Sequence, residues 1–490
     1  MSSRASPGRP LLLPQEIVDL IIDSSQDGTN GPLPFVHECD IMAMASLSLV
    51  SKAWYPRTRT ILFRIVTLGS LSYSEDQSRQ AERCKTLKSL LDAAPFLRRC
   101  IERLIIPVAS IVLSPEACAS ATTILPLLTH VTNVTIHGEA GFTCKAIPPS
   151  LHIALYDLMA RPTVDYLHLV ELEDFDVVPL AQWHHVKGLH MHDVYPPGYS
   201  PKDCSDDTDP PANADGAGQL FPPCFPLNNR ATLSSPEPAP GSPAADMKIL
   251  SIKRSGAALQ ILLSCIQNSK EATLALTRPC DLYIDATKGG FDPATEKAWD
   301  TFLHLGGTMD AVKNLQLSQA FYKDADLELL EEDENRLPRN ALPLSQFPRL
   351  KNLVLKTVYE YVEASEYPHN SGQDPLPLLV SALDRLARVP QAPLLELLDL
   401  SIDFLPLDWS EDESCIWDYD TEESMVELSK RVVWAQLDEI LAKESVFSKL
   451  GRVKIAFQNV YGAPREECEK IVLEQMPRLA EKGVLEVMMF

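Results

Sequence analysis

Short apolar-x-apolar triplets recur along this 490-residue chain and constrain its fold more than any other feature. Eleven of them begin at residues 104, 134, 167, 189, 250, 282, 315, 353, 398, 453 and 485. They advance by 30, 33, 22, 61, 32, 33, 38, 45, 55 and 32 residues, so a base period near 30 carries several insertions. Because side chains alternate along a strand, each triplet predicts a strand whose first and third residues face a core.

Helical stretches are predicted between the triplets, at Cys84 to Leu91, Leu151 to Met159, Leu259 to Gln267, Leu376 to Ala387 and Glu466 to Leu479. A strand-plus-helix unit of this length with parallel strands resembles a leucine-rich repeat, here degenerate because the regular asparagine is missing. We therefore expect an α/β chain whose residues 69–490 form an irregular leucine-rich-repeat-like solenoid of parallel strands and helices. The open alternative is a doubly wound α/β sheet, which ordinarily has a Gly-rich first turn that is absent here.

The distribution of proline indicates where the largest insertion lies. The chain has 39 prolines, nearly 8%, whereas about 5% is usual. Many of them fall within residues 196–246, a segment that is also dense in Gly, Ala, Ser and Asp. Such a composition cannot bury enough apolar surface to offset its ordering entropy. We therefore expect 196–246 to be a flexible insertion that interrupts the solenoid.

The middle residue of each triplet is predicted to point away from the core. We call the middle residues of the second to the eleventh triplet the outward row: Thr135, His168, His190, Ser251, Tyr283, Gln316, Val354, Asp399, Lys454 and Glu486. A long row of mixed polar and aromatic groups suits recognition of a protein or peptide. We expect a protein target to bind its first six members, Thr135, His168, His190, Ser251, Tyr283 and Gln316.

The N-terminal residues 10–68 form a separate helical segment. Apolar residues at helical spacing after Pro14 predict a first helix, Asp40 can cap a second, and a third is expected to begin near Tyr55 and run toward Phe63. The segment carries LPQEI at 13–17, LSLVSKAW at 47–54 and ILFR at 61–64. These elements resemble the F-box, and are most similar to the large F-box-like families of mushroom-forming fungi.

The F-box resemblance implies a three-helix motif that docks onto the Skp-type adaptor of a cullin-RING ubiquitin ligase. The positions that match the motif would form the adaptor-binding set: Leu13, Pro14, Ile17, Ile21, Leu47, Val50, Trp54, Leu62 and Phe63. The chain would then be a non-catalytic substrate receptor. The alternative is a repeat protein that binds partners without a ligase, with the first segment serving only as a helical cap.

Charge and cysteine usage limit the partners and the compartment. The excess of 23 negative charges disfavours phosphate neutralisation, so no nucleic-acid partner is expected. We find no signal peptide and no apolar run long enough to span a bilayer, so no membrane partner is expected either. The eleven cysteines are scattered, which favours free thiols in a reducing cytoplasm or nucleus.

Sequence motifs of catalysis are absent. The chain contains no GxxxxGK[ST], GxSxG or HExxH pattern, so we expect neither a catalytic site nor a cofactor. The one dense histidine patch comprises His184, His185, His190 and His192, with His168 one repeat earlier. His190 and His192 share a strand face and could hold zinc with Asp193 or His168. The favoured interpretation is that these histidines line the solvated sheet face and bind no metal.

Overall fold

The computed structural model describes residues 55–69, 77–199, 247–268, 279–285, 301–302, 311–318, 344–360, 375–388, 394–405, 432–458 and 465–489. Within them, twelve parallel strands form one sheet in an α/β fold. The strands are β1 Ile65–Thr67, β2 Arg103–Pro107, β3 Asn133–His137, β4 Tyr166–Leu172, β5 Gly188–Val194, β6 Ile249–Lys253, β7 Asp281–Asp285, β8 Asn314–Ser318, β9 Asn352–Glu360, β10 Leu397–Leu405, β11 Arg452–Gln458 and β12 Leu485–Met489.

The eleven predicted triplets lie in β2 to β12 and occupy equivalent positions. Leu250, for example, pairs with Leu189 on one side and with Leu282 on the other. The first residues of the triplets, from Leu104 to Val453, are at most 1% exposed. Burial of one such side chain contributes about 2 kcal/mol, so the in-register rows of Leu and Val are a large part of the core. The predicted alternation is therefore confirmed for β2 to β11, whereas Leu485 and Val487 of β12 are only half-buried, like the rest of that strand.

Strand order follows chain order from β1 to β12, and strands that are adjacent in this order are hydrogen-bonded to each other. A doubly wound sheet instead reverses its strand order at a switch point. The doubly wound alternative is therefore wrong for these twelve strands. Such sequential order is what repeats that contact only their neighbours produce.

Eleven helices are found in the described part of the chain. They are α1 Tyr55–Leu62, α2 Gln77–Ala93, α3 Leu97–Cys100, α4 Val108–Val112, α5 Pro115–Ile124, α6 Pro149–Met159, α7 Gly256–Asn268, α8 Pro375–Ala387, α9 Val433–Leu441, α10 Arg465–Gln475 and α11 Pro477–Glu481. Helix α1 begins where the third N-terminal helix was predicted. The single helix predicted over Glu466 to Leu479 is wrong: it is two helices, because Pro477 lacks an N–H and cannot continue α10.

Two helix starts illustrate how local sequence sets the boundaries. Ser114 caps α5 by accepting a hydrogen bond from the Ala117 N–H at 3.2 Å, and Pro115 occupies the first turn. Asp438 on α9 is 3% exposed and caps α11 through the backbone N–H groups of Arg478 and Leu479. Helix α11 therefore depends on a carboxylate supplied about forty residues earlier in the chain.

The described residues divide into two compact units, 55–139 with 145–167, and 140–144 with 168–489. In the first unit α2 packs on α5, where Cys84 and Cys118 are buried. Burial raises the pKa of the Cys84 thiol to about 11, and the nearby Cys118 adds to the shift. In the second unit α9 packs on α8 and α11.

Several sequence expectations concern residues that the structure describes only in part. Of the predicted insertion 196–246, residues 200–246 lie outside the described residues. The seven described cysteines are free thiols. No helix within the described ranges is both long and apolar enough to cross a bilayer.

Candidate functional site

The outward row occupies one position on each successive strand and is half-buried throughout. His190, Ser251, Tyr283 and Gln316 are direct partners on β5 to β8, and Val354, Asp399, Lys454 and Glu486 continue the row to β12. Thr135 lies in the first unit, where it pairs with Ile105. The other five predicted target-binding residues belong to the second unit and lie on consecutive strands.

His168 and His190 are stacked face to face. Their ring centroids are 4.1 Å apart and their planes differ by 3°. Burial lowers the pKa of His190 to about 4, so this ring is neutral at pH 7. The stacked pair offers aromatic surface and ring nitrogens for contact, and its His190 ring carries no charge at pH 7.

A second polar row, which was not predicted from the sequence, lies two residues before the outward row on β7 to β9. Asn314 donates a side-chain hydrogen bond to Asp281, and Asn352 donates to Asn314 Oδ1 at 2.6 Å. These residues face the same side as the outward row because they precede it by two positions. The signal that could have found them is the recurrence of Asp, Asn and Asn immediately before three successive triplets.

Two ion pairs connect neighbouring strands on this face, between β10 and β12. Lys454 Nζ lies 3.3 Å from Asp399 Oδ2, and Arg452 on the same strand forms an ion pair with Glu486. The outward row from β10 to β12 thus contains charges that are paired across strands, whereas His190, Ser251, Tyr283 and Gln316 are uncharged side chains at neutral pH.

Three charged residues with left-handed backbone mark the carboxyl ends of β4 to β6. Glu171, Asp193 and Arg254 have φ angles of 53°, 54° and 46°, and each lies four residues after the start of its triplet. This conformation costs non-glycine residues about 1–2 kcal/mol each. The left-handed residue interrupts the regular alternation of side chains between the two faces of the strand. The next residues, Leu172, Val194 and Ser255, are buried.

Two of the left-handed residues, Asp193 and Arg254, belong to a compact polar cluster. Asp193 forms an ion pair with Arg254, lies 3.3 Å from His192 Nε2, and accepts a hydrogen bond from the Tyr195 hydroxyl at 3.2 Å. Burial, then Lys253, lowers the pKa of His192. Burial raises the pKa of Asp193, while Arg254 acts in the opposite direction. Arg254 Nε is buried without a hydrogen-bond partner.

The predicted histidine patch is not arranged as a zinc site. No group of three His, Cys, Asp or Glu side chains within the described residues could hold a metal ion. The physical reason lies in the packing: His190 is stacked on His168, whereas His192 contacts Asp193 and Arg254. His184 and His185 contact each other edge to face at 5.7 Å.

Most of the predicted adaptor-binding residues lie outside the described residues: Leu13, Pro14, Ile17, Ile21, Leu47, Val50 and Trp54. Leu62 and Phe63 are described and half-buried, at the end of α1. The Phe63 N–H donates to the Arg59 carbonyl at 3.0 Å.

We expect the free energy of unfolding to fall between pH 7 and pH 4, and His190→Phe to remove part of that loss. The pKa of His190 is about 4 when folded and 6.5 in its reference state, so in this window the unfolded chain binds a proton that the folded chain rejects. The stabilising contribution of neutral His190 is therefore fully present above pH 7 and is lost as the pH falls. Its loss lowers the free energy of unfolding by roughly 2–3 kcal/mol near pH 4. Urea denaturation at pH 7.0 and 4.5 measures the difference.

The matched control is His130→Phe, because His130 is exposed. This variant should lose as much stability on acidification as the wild-type chain. An acid loss of equal size in His190→Phe and wild type would contradict the assignment of the loss to His190.

Comparison of the sequence with protein-family models gave no match, and comparison with curated proteins gave none either.

Proposed function

We propose that this chain is the substrate-recognition subunit of a cullin-RING ubiquitin ligase of the SCF type. Residues 10–68 dock the Skp-type adaptor as an F-box, and the outward row of a leucine-rich-repeat-like solenoid binds a protein target. The chain itself is not an enzyme. It acts by proximity, because it raises the effective concentration of target lysines near the ubiquitin carrier.

The in-register outward row is the observation that supports the target-binding half most strongly. It aligns half-buried polar and aromatic side chains on consecutive strands, over a core of buried Leu and Ile. Sequential strand order supports the solenoid, because each repeat pairs only with its neighbours. A protein target could contact many strands of such a face at once.

The adaptor-binding half is supported by the motif residues themselves and by α1, which begins at Tyr55 where the third F-box helix is expected. Apolar side chains at Leu13, Ile17 and Trp54 are the contacts we assign to the adaptor. Free thiols at the seven described cysteines fit a reducing compartment, either cytoplasm or nucleus.

A protein-binding scaffold without a ligase role is the second candidate. One observation favours it: Leu62 and Phe63, which close the motif, are already half-buried within the chain and leave less apolar surface for an adaptor. In that case the first helices would only cap the sheet.

Binding of a purified Skp-type adaptor separates the two candidates. We expect wild-type chain to form a 1:1 complex on size exclusion with light scattering. Leu13→Asp combined with Trp54→Ala should abolish it, because the change removes two apolar contacts and buries a charge.

The matched control for the adaptor experiment is Ile153→Asp, which places the same charge at an apolar position that is 60% exposed and far along the chain from the motif. It should bind the adaptor like wild type. Adaptor binding that survives the Leu13→Asp, Trp54→Ala change refutes the docking assignment, and absence of binding by wild type favours the scaffold.

A further inference from the structure

Aromatic side chains occupy several successive positions of the outward row, and one small side chain interrupts them. Along four successive strands of the second unit its members are His168, His190, Ser251 and Tyr283. His190 is the direct partner of Ser251, and Ser251 is the direct partner of Tyr283. A small side chain therefore lies between two aromatic walls.

The width of this Ser251 gap matches one planar ring. Neighbouring strands lie about 4.8 Å apart, so the His190 and Tyr283 positions are separated by about 9.6 Å. Two stacking contacts of about 4.5 Å each would span that distance. The stacked pair of His168 and His190, with centroids at 4.1 Å, demonstrates that rings on adjacent strands of this row do stack.

The charge around the Ser251 gap favours an uncharged occupant. His190 is neutral, because its pKa is lowered to about 4, and burial raises the pKa of Tyr283 above its ordinary value. On its own strand, Ser251 is flanked on the same face by apolar Ile249 and by Lys253. Two carboxylates flank Tyr283 on the next strand: Asp281 already accepts a hydrogen bond from Asn314, and Asp285 is the direct strand partner of Lys253.

An arginine in the gap would meet Lys253 and would have to compete with Asn314 for Asp281. An aromatic ring meets neither difficulty and would contact Ile249 as well. Trp and Tyr are enriched, together with Arg, among the few residues that dominate affinity at protein interfaces, and their rigid rings lose little conformational entropy on binding.

We propose that a target protein inserts one aromatic side chain, Phe, Tyr or Trp, between His190 and Tyr283 over Ser251. The inference deepens the proposed function, because it rests on the outward row as the target-binding face. It assigns Ser251 a specificity role through its small size. A target segment that lacks an aromatic residue at the matching position would bind much more weakly.

N-acetyl-tryptophanamide is a suitable probe, titrated into the full chain with selectively labelled His and Tyr rings and followed by NMR. We expect saturable shifts of the His190 and Tyr283 ring signals in wild type. Ser251→Phe fills the gap and should weaken binding of the probe at least tenfold. Tyr283→Leu removes one wall without filling the gap and should weaken it similarly, with the His190 signal as the readout.

The matched control is Ser264→Phe, which makes the same change at an exposed position of α7 and should bind the probe like wild type. N-acetyl-argininamide tests the charged alternative and should give no saturable shift. An unchanged response in Ser251→Phe, no saturable response in wild type, or stronger binding of the arginine probe overturns the proposal. Adaptor binding and target capture are measured separately, so failure here leaves the proposed function standing.

Discussion

Replacing Trp434 by alanine should lower the free energy of unfolding by about 3–5 kcal/mol, the largest effect on stability that we expect from one substitution. Trp434 lies on α9 with no exposed surface, and its ring meets that of Phe457 edge to face, with centroids 6.3 Å apart. Phe457 belongs to β11, so the tryptophan joins the helix layer to the sheet. Alanine would leave a cavity at this contact.

Hydrogen exchange of the β11 amides is the most specific readout, because repeat arrays can open locally without unfolding throughout. The β11 amides should exchange about 10²- to 10⁴-fold faster in Trp434→Ala, because each 1.4 kcal/mol corresponds to a factor of ten. Val432→Ala, at a position that is 72% exposed just before the same helix, should leave them unchanged. Equal exchange in both variants would contradict the role that we assign to Trp434.

Replacing His168, His190, Tyr283 and Gln316 together by alanine should abolish target capture and leave adaptor binding intact. The four side chains lie on β4, β5, β7 and β8 of one sheet face and are half-buried, so alanine removes contact surface without opening the core. We expect at least about 100-fold weaker target binding, since two such central contacts can each exceed 2 kcal/mol.

Capture can be measured by cross-linking in cells, followed by mass spectrometry of what the chain retains. The control replaces four exposed helix residues, Glu82, Lys85, Glu439 and Lys470, by alanine. This control should retain the same partners as wild type. Partners that survive the four-residue change on the outward row would place the target site elsewhere.

The strand pattern was predictable because it is local and repeated. Each triplet needs only two buried positions around one outward position, and the in-register core then follows from stacking equivalent repeats. Strand β1 escaped prediction because Ile65–Thr67 is three residues long, and its strand conformation depends on pairing with Arg103–Ile105 far along the chain. Helix α11 likewise relies on the distant cap from Asp438.

The site was predictable only as a row of positions. Spacing placed His190, Ser251 and Tyr283 on one face, but stacking, neutrality and the ring gap depend on which strands become neighbours. The left-handed residues Glu171 and Arg254 carry no local signal, because long charged side chains do not favour positive φ. Their shared offset within the repeat is visible only once the repeats are aligned.

The central claim is that one chain bridges an adaptor and a target, and the most direct test is mass spectrometry of adaptor immunoprecipitates from cells expressing each variant. Wild type should bring down the chain together with a set of target proteins. The four-residue outward-row variant should bring down the chain without that set, and Leu13→Asp with Trp54→Ala should bring down neither. Recovery of the same proteins with the outward-row variant, or absence of the wild-type chain from the precipitate, would contradict the account.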